Sequence, residues 1–410
     1  MTKKILKSIG IIILLILLLI GFFIYNTSTQ YKKLRQGVLN EDFTCDTIPF
    51  TYTRSGHILI KTKINNSSDE YLFILDSGAK NFLFQSFTKD HNFESNGFAI
   101  AMGASKNIFF TKIKKINSVQ LGDAKFNNIN AEETDLNFDC SEDICGIIGT
   151  GIMRHLVWEI NFQKQIIIIS KQLDKHNIDN CAIKIPLNEN KYSHHLRAQI
   201  KFRKNKKTKT VLIDLGNNST LSLDEDLLLK DSLNLKHKQI FGIGSKGLGN
   251  KRNNKTLDSK YYLLDSLIFS NSYYFVNNIP VETNLQSLNL LGLDFFNKYK
   301  IIISWKDEKL ILIPNDSIQK FIWKTYGFST AYNKKLDKVE IQSIIENSPA
   351  SEAGLELDLN IVSINNKPFF DSLSYCDYKE IKQKSDSISL GIRLNDTIKT
   401  FKLAKDLIFK

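Results

Sequence analysis

The chain has 410 residues, with 55 Lys and Arg against 43 Asp and Glu, a net charge of +12, and apolar and charged fractions of 42% and 24%. That length exceeds one ordinary core and that composition excludes a disordered chain, so two or three domains are expected. The basic surplus is spread among Asn and Ser, and its one dense run, Lys201 to Lys209, lies between two strand-like segments, where it reads as a solvated hairpin tip rather than a nucleic-acid patch.

In chain order, the first element is an uncharged apolar run from Ile9 to Ile24, preceded by Lys3, Lys4 and Lys7. Its exit, Gly21-Phe22-Phe23-Ile24-Tyr25, lacks a small-residue cleavage site, so a retained anchor (1–25) is expected, with cleavage as the alternative. At about 1.5 Å per residue the run falls a little short of a hydrocarbon core of about 30 Å, so Tyr25 and flanking Lys side chains would complete the span. The short basic leading side favours an inside N-terminus and a body on the extracytoplasmic side, periplasmic or extracellular. A polar linker is expected over 26–45.

Of the five cysteines, Cys140 and Cys145 are close enough to close a small loop, either as a bridge or as free thiols. No Cys pair or His cluster completes four metal ligands, so no metal is expected. His194 and His195 are adjacent in a strand-like stretch, where they would face opposite sides and could not serve one site.

From residue 46 short β-branched and aromatic runs dominate, which predicts a mainly β body. Its segments occur twice in one order. The first copy (46–178) reads FILDSGAKNFLF, a Gly-bounded stretch Gly97 to Gly103, SVQLGDAKFNNINAEETDL, GIIGTGIM and WEINFQKQIIII. The second (179–316) reads VLIDLGNNSTLSL, FGIGSKGLG, SLIFSNSYYFVNNIPVETNL, NLLGLDFFNKY and IIISWKDEKLILI. The interval from Asp76 to Gly149 nearly equals that from Asp214 to Gly292, and matched segments in one order indicate duplication.

Each copy offers an apolar strand ending in Asp, a turn Gly, a Gly-rich hairpin and an apolar-apolar-Gly segment. This arrangement resembles the lobes of retropepsin and pepsin-like aspartic proteases. The resemblance implies two tandem β lobes, catalytic Asp76 and Asp214, and loop support from Ser77, Gly78, Leu215, Gly216, Gly149 and Gly292. It also implies flap hairpins at Gly97 to Gly103 and at Gly242 and Gly244. Two carboxylates about 3 Å apart share one proton, and such a pair can activate water against a peptide bond without cofactor or metal. Leu215 departs from the family, which has Thr or Ser there to brace the two loops. The string Gly242-Ile243-Gly244-Ser245-Lys246-Gly247 matches a dinucleotide fingerprint but is followed by polar turn-like residues, so no nucleotide is expected. Asp294 aligns with Gly151 and reads as the cap of a short helix.

From 322 to 410 the pattern changes. Ser348-Pro349-Ala350, Ala353-Gly354-Leu355 and Ile361 to Asn366 resemble a PDZ domain, which implies peptide binding at the loop Tyr326-Gly327-Phe328 by strand addition. The expectation is therefore a membrane-anchored aspartic endopeptidase whose PDZ-like domain recruits peptide or protein substrate. The alternative is a catalytically inactive peptide-binding protein, for which Leu215 is the best argument.

Overall fold

The computed structural model describes residues 2–103, 108–135, 143–202, 208–229, 235–243, 259–269, 274–284, 288–315, 321–333, 336–369 and 372–409. The structure is mainly β. Helix α1 (Thr2–Leu34) leads into a short strand β1 (Val38–Leu39) and then the first lobe. That lobe comprises β2 (Cys45–Tyr52), β3 (Ile58–Ile64), β4 (Tyr71–Leu75), β5 (Phe82–Phe84), α2 (Gln85–Asp90), β6 (Ser95–Met102), β7 (Ile108–Leu121), β8 (Ala124–Thr134), β9 (Ile144–Ile148), α3 (Thr150–Met153), β10 (Val157–Asn161) and β11 (Ile166–Ser170). The second lobe repeats the series as β12 (Ile183–Glu189), β13 (Leu196–Phe202), β14 (Lys209–Ile213), β15 (Leu221–Asp224), α4 (Glu225–Leu229), β16 (His237–Gly242), β17 (Ser259–Phe269), β18 (Phe275–Asn284), β19 (Leu290–Leu291), α5 (Leu293–Phe296), β20 (Tyr299–Ser304) and β21 (Lys309–Pro314).

The pairings repeat as well as the order. In both copies the second strand pairs the first and third, and the sixth and seventh form a hairpin partner set. In lobe 1, β9 lies between β4, to which it is parallel, and β5, to which it is antiparallel. Lobe 2 threads β19 between β14 and β15 in the same way. The chain leaving β4 must therefore loop round the end of β9 to reach β5, and that loop is Asp76 to Asn81. Its counterpart is Asp214 to Thr220.

Strands β10 and β20 join the lobes, pairing antiparallel from Val157↔Ser304 to Asn161↔Lys300, so the order β2-β11-β10-β20-β21-β12 runs beneath both. Ile301 and Ile303 enter the core shared by both lobes, while Ile302 packs with Val157, Ile311 and Ile313 on the opposite face. A sheet covered on both faces accounts for the unbroken apolar runs that form these strands.

The C-terminal module has its own core. It contains β22 (Lys324–Thr325), β23 (Phe328–Asn333), β24 (Lys338–Ile345), α6 (Pro349–Glu352), β25 (Asn360–Ile364), β26 (Lys367–Pro368), α7 (Ser372–Lys384), β27 (Ser387–Leu394), β28 (Thr397–Ala404) and β29 (Asp406–Leu407). It is fastened to lobe 2, because β16 pairs with β24 through Ile240↔Ile345, Phe241↔Ile344 and Gly242↔Ser343.

Two expectations need correction, and for Cys145 one of two alternatives is decided. The apolar helix does not end near residue 25 but continues to Leu34, whose side chain is buried against Ala99 and Ile113 of lobe 1. Cys145 is a buried free thiol, as Cys45 and Cys181 are free and exposed, while Cys140 lies outside the described residues. His194 and His195 lie in a turn before β13, with His194 at φ +58°, rather than in a strand.

Candidate active site

The two Asp-x-Gly loops meet face to face. Backbone amides fix their starts, with Asp76 N–H donating to Ile148 O (3.0 Å) and Asp214 N–H to Leu291 O (2.9 Å). Each carboxylate then accepts from the amide two residues on, Gly78 N–H to Asp76 Oδ1 at 2.7 Å and Gly216 N–H to Asp214 Oδ1 at 2.9 Å. The side chains of Asp76 and Asp214 are both buried and hydrogen-bond each other.

The glycines have a specific reason. A Cβ on Gly78 would stand less than 3.0 Å from all three carboxyl atoms of Asp214, and one on Gly216 would do the same to Asp76. Each loop is bare where the other loop's carboxylate approaches. Gly149 and Gly292 serve one layer below, where a Cβ would strike the carbonyls of Ala79 and Lys80, or of Asn217 and Ser219. Thr150 N–H donates to Ala79 O (2.9 Å) and Leu293 N–H to Asn217 O (2.6 Å), so these segments carry the loops from beneath.

Burial raises the Asp76 carboxyl, an effect partly opposed by the Gly78 amide; burial and then the charge of Asp76 push Asp214 well above the ordinary carboxylate range. The pair therefore retains a proton that two exposed carboxylates would release.

The cross-brace between loops is single. Ser77 Oγ donates to Ile213 O (2.8 Å) and accepts Leu215 N–H (3.0 Å), both across the lobe boundary. Leu215, at the symmetric position, is fully buried in the shared core and replaces the second hydroxyl with apolar contact. Net hydrogen bonds and buried apolar side chains contribute comparably, about 1 and 2 kcal/mol each, so the substitution does not of itself loosen the loop.

Several supporting residues carry no sequence signal. Lys80, within the first loop, pairs with the fully buried Glu132 (2.7 Å), which also accepts from Thr111 Oγ1 (2.7 Å). Nothing in AEET marks Glu132 as part of the site. Asn81 Oδ1 receives Gly149 N–H (3.0 Å). His57, on the turn between β2 and β3, sits against the second loop, with Ser55 Oγ on Nδ1 (2.9 Å), while Asn218 Nδ2 donates to Ser55 O (2.6 Å). Burial pushes His57 down to about 4. A cavity of about 530 Å³ opens here, walled by His57, Gly216, Asn218, Tyr261, Glu282 and Trp323, and so by both lobes and the segment entering the C-terminal module.

Of the expected flap glycines, three lie among the described residues. Gly97 (φ +120°) lies at the base of the β6–β7 hairpin, where its missing Cβ admits the Gln30 side chain; Gly103 is nearer the tip. Gly242 (φ +98°) is the end of β16, with the Gln342 carbonyl where a Cβ would stand, so the end of this strand is paired to the C-terminal module. Gly244 lies outside the described residues. Asp294 sits within α5, whose N-cap is Gly292, and accepts from Asn297 Nδ2 (3.4 Å), so it is not the cap. Among the described residues no group of His, Cys, Asp and Glu could hold a metal.

The expected peptide groove of the C-terminal module is occupied. Tyr326 is a core residue whose hydroxyl donates to Ser385 O (2.7 Å), Phe328 is buried, and Gly327 N–H is taken by Thr325 Oγ1 (3.1 Å). The outer edge of β23 is met by α7, with Lys382 Nζ donating to Phe328 O (2.7 Å) and Tyr375 Oη to Thr330 O (3.0 Å). Burial, with the charges of Lys379 and Lys405, lowers the Lys382 ammonium to about 7.

No family model matches the sequence, and no curated protein does. A crystal structure of an aspartic proteinase from Irpex lacteus is similar over 67% of this chain and 98% of that one, with 11% identity and a TM-score of 0.44. The duplicated architecture rests on the strand pairings of this chain and not on that likeness.

Proposed function

We propose that the chain is a membrane-anchored aspartic endopeptidase in which Asp76 and Asp214 act together on a water molecule. The observation that carries the reading is the mutual approach of two buried carboxyls across loops whose glycines, Gly78 and Gly216, leave space for nothing else. The ionised member of the pair takes a proton from water as it attacks the scissile carbonyl. The protonated member hydrogen-bonds the carbonyl oxygen, and the proton taken from water leaves with the amine as the C–N bond breaks. No acyl-enzyme forms. The inactive peptide-binding alternative is disfavoured by the intact carboxyl pair, since Leu215 is accommodated in the core.

The anchor is α1, of which Ile9–Leu34 is long and apolar enough to cross a membrane. Cys376 is disulfide-bonded, which suits a body on the oxidising side. The test is a peptide-library screen of the full chain between pH 4 and 8. Parent protein cleaves, and Asp76→Asn loses on the order of 10²–10⁴-fold in kcat/KM. Cleavage that persists in this variant would sink the reading.

Recruitment through the C-terminal module needs Lys382 and Tyr375 to leave the β23 edge. Titration of the parent with peptide pairs that differ only in a free or amidated C-terminus is therefore expected to show no preference for the free carboxylate, and Lys382→Gln with Tyr375→Phe to uncover one. Equal preference in parent and variant would show that these two side chains do not occlude the groove.

A further inference from the structure

Helix α1 does not hand over to a flexible linker; it docks directly on the β6–β7 hairpin. Tyr31 Oη donates to Ile100 O (2.9 Å) and Lys33 Nζ to Asn96 O (2.7 Å), while Asn130 Nδ2 on β8 donates to Lys33 O (3.0 Å). Leu34 is buried against Ala99 and Ile113, and the side chain of Gln30 fills the space left by Gly97. These contacts fix how far the hairpin can stand from whatever surrounds the apolar part of the helix. An α-helix rises about 1.5 Å per residue, so Tyr31 lies only about 10 Å along the axis from Ile24, where the uncharged run ends. The polar layer of a bilayer is roughly 5–8 Å deep on each side of its hydrocarbon core. A body held at that height has no slack with which to clear the interface.

The outward face of the same hairpin is apolar. Phe98 pairs with Lys112, and Ile100 with Phe110, so these side chains share one face, while Ala99, Ala101 and Thr111 lie on the opposite, buried face, where Ala99 meets Leu34 of α1. Phe98, Ile108 and Phe110 are 62%, 71% and 76% exposed. Elsewhere among the described residues outside α1, large exposed apolar side chains such as Tyr192, Phe241 and Ile398 stand on separate elements. Isolated exposed apolar residues are ordinary, but three on one hairpin beside an apolar helix are not. Aromatic and aliphatic groups with a neighbouring cation are the chemistry that suits an interfacial layer.

We propose that Phe98, Ile108 and Phe110, with Lys112, lie in the interfacial layer of the bilayer that α1 spans, giving the body a second membrane contact. The inference rests on the reading of α1 as a membrane anchor and is independent of catalysis.

The test uses the full chain in nanodiscs of phosphatidylcholine and phosphatidylglycerol at three to one, with Cys45 and Cys181 replaced by Ser. Single spin labels are placed at Ile108→Cys and Phe110→Cys, with Leu17→Cys in α1 and Ile398→Cys in the C-terminal module as references. The readout is collision with oxygen, which enters lipid, against collision with a water-soluble nickel chelate. Positions 108 and 110 are expected to show an oxygen-to-nickel ratio at least about threefold above position 398, with position 17 higher still. Positions 108 and 110 matching 398 while 17 reports lipid would overturn the inference and leave the anchor standing. Position 17 reporting water would overturn both.

Discussion

Asp214→Asn is expected to abolish peptide hydrolysis, by about 10²–10⁴-fold in kcat/KM, while raising the thermal stability of the protein at neutral pH. The two effects share one cause. Asp214 is buried beside a second carboxylate, and both circumstances raise its pKa, burial being the larger. A carboxyl whose folded pKa exceeds its unfolded value, about 3.9, favours folding most fully below that value, and the contribution is lost as pH rises through the folded pKa. At pH 7 the parent must bind a proton that the unfolded chain lacks, or bury a charge. The amide has neither cost and keeps the shape, so Tm rises, by about 2–4 °C per kcal/mol recovered, and the gain shrinks toward pH 4.

Buried histidines provide a control of opposite sign. Burial lowers His57, His155 and His195 to about 4, so their contribution is full above about 6.5 and declines as pH falls from there toward 4. Across that acid window the variant should lose stability more steeply than the parent, in which retention of the Asp214 proton offsets part of the histidine loss, so the two converge toward pH 4. Calorimetry from pH 4 to 8 with kinetics on the same samples decides the matter. A variant that is inactive and less stable at pH 7 would mean that the second carboxyl is structural.

The second large effect is expected at Glu132, far from the Asp loops in sequence. Glu132→Ala removes a fully buried carboxylate that receives both Lys80 Nζ and Thr111 Oγ1, and leaves the Lys80 ammonium, only 19% exposed, without that partner. Breaking such a buried pair costs about 3–5 kcal/mol, which corresponds to a fall in Tm of about 6–20 °C. The lower part of this range is expected, because Lys80 can turn toward solvent. Lys80 also lies over the Tyr31 ring at 4.6 Å, so the substitution should additionally loosen α1 from lobe 1. Hydrogen exchange at residues 28–36 measures this directly. A change in Tm below 2 °C with unaltered exchange there would refute the assignment.

The architecture was legible because duplication writes itself twice. The strands before Asp76 and Asp214, the apolar-apolar-Gly segments and the closing isoleucine runs are each determined by local pattern, and their repetition in order gave the lobes and the two loops together. Local pattern also predicted an apolar N-terminal helix, although not its end: residues 26–33 carry no aliphatic side chain, yet the helix continues to Leu34, which is buried against lobe 1.

What local pattern could not decide was who meets whom. Gly78 and Gly216 look like turn glycines, yet each is bare because of a carboxylate more than a hundred residues away in sequence. Gly242 resembled a flap glycine, but its backbone is taken by β24. The loop at Tyr326 to Phe328 suggested a peptide site, until α7 brought Lys382 and Tyr375 onto the same edge. Asp76-Ser77-Gly78 alone is a turn, and Leu215 alone looks like a lost brace. Their meaning depends on Ser77 reaching Ile213 across the lobes and on Leu215 entering the shared core. A sequence specifies periodicity and turn chemistry over a few residues. Burial, proton sharing and occlusion arise between segments distant in the chain, and only the packed structure sets them.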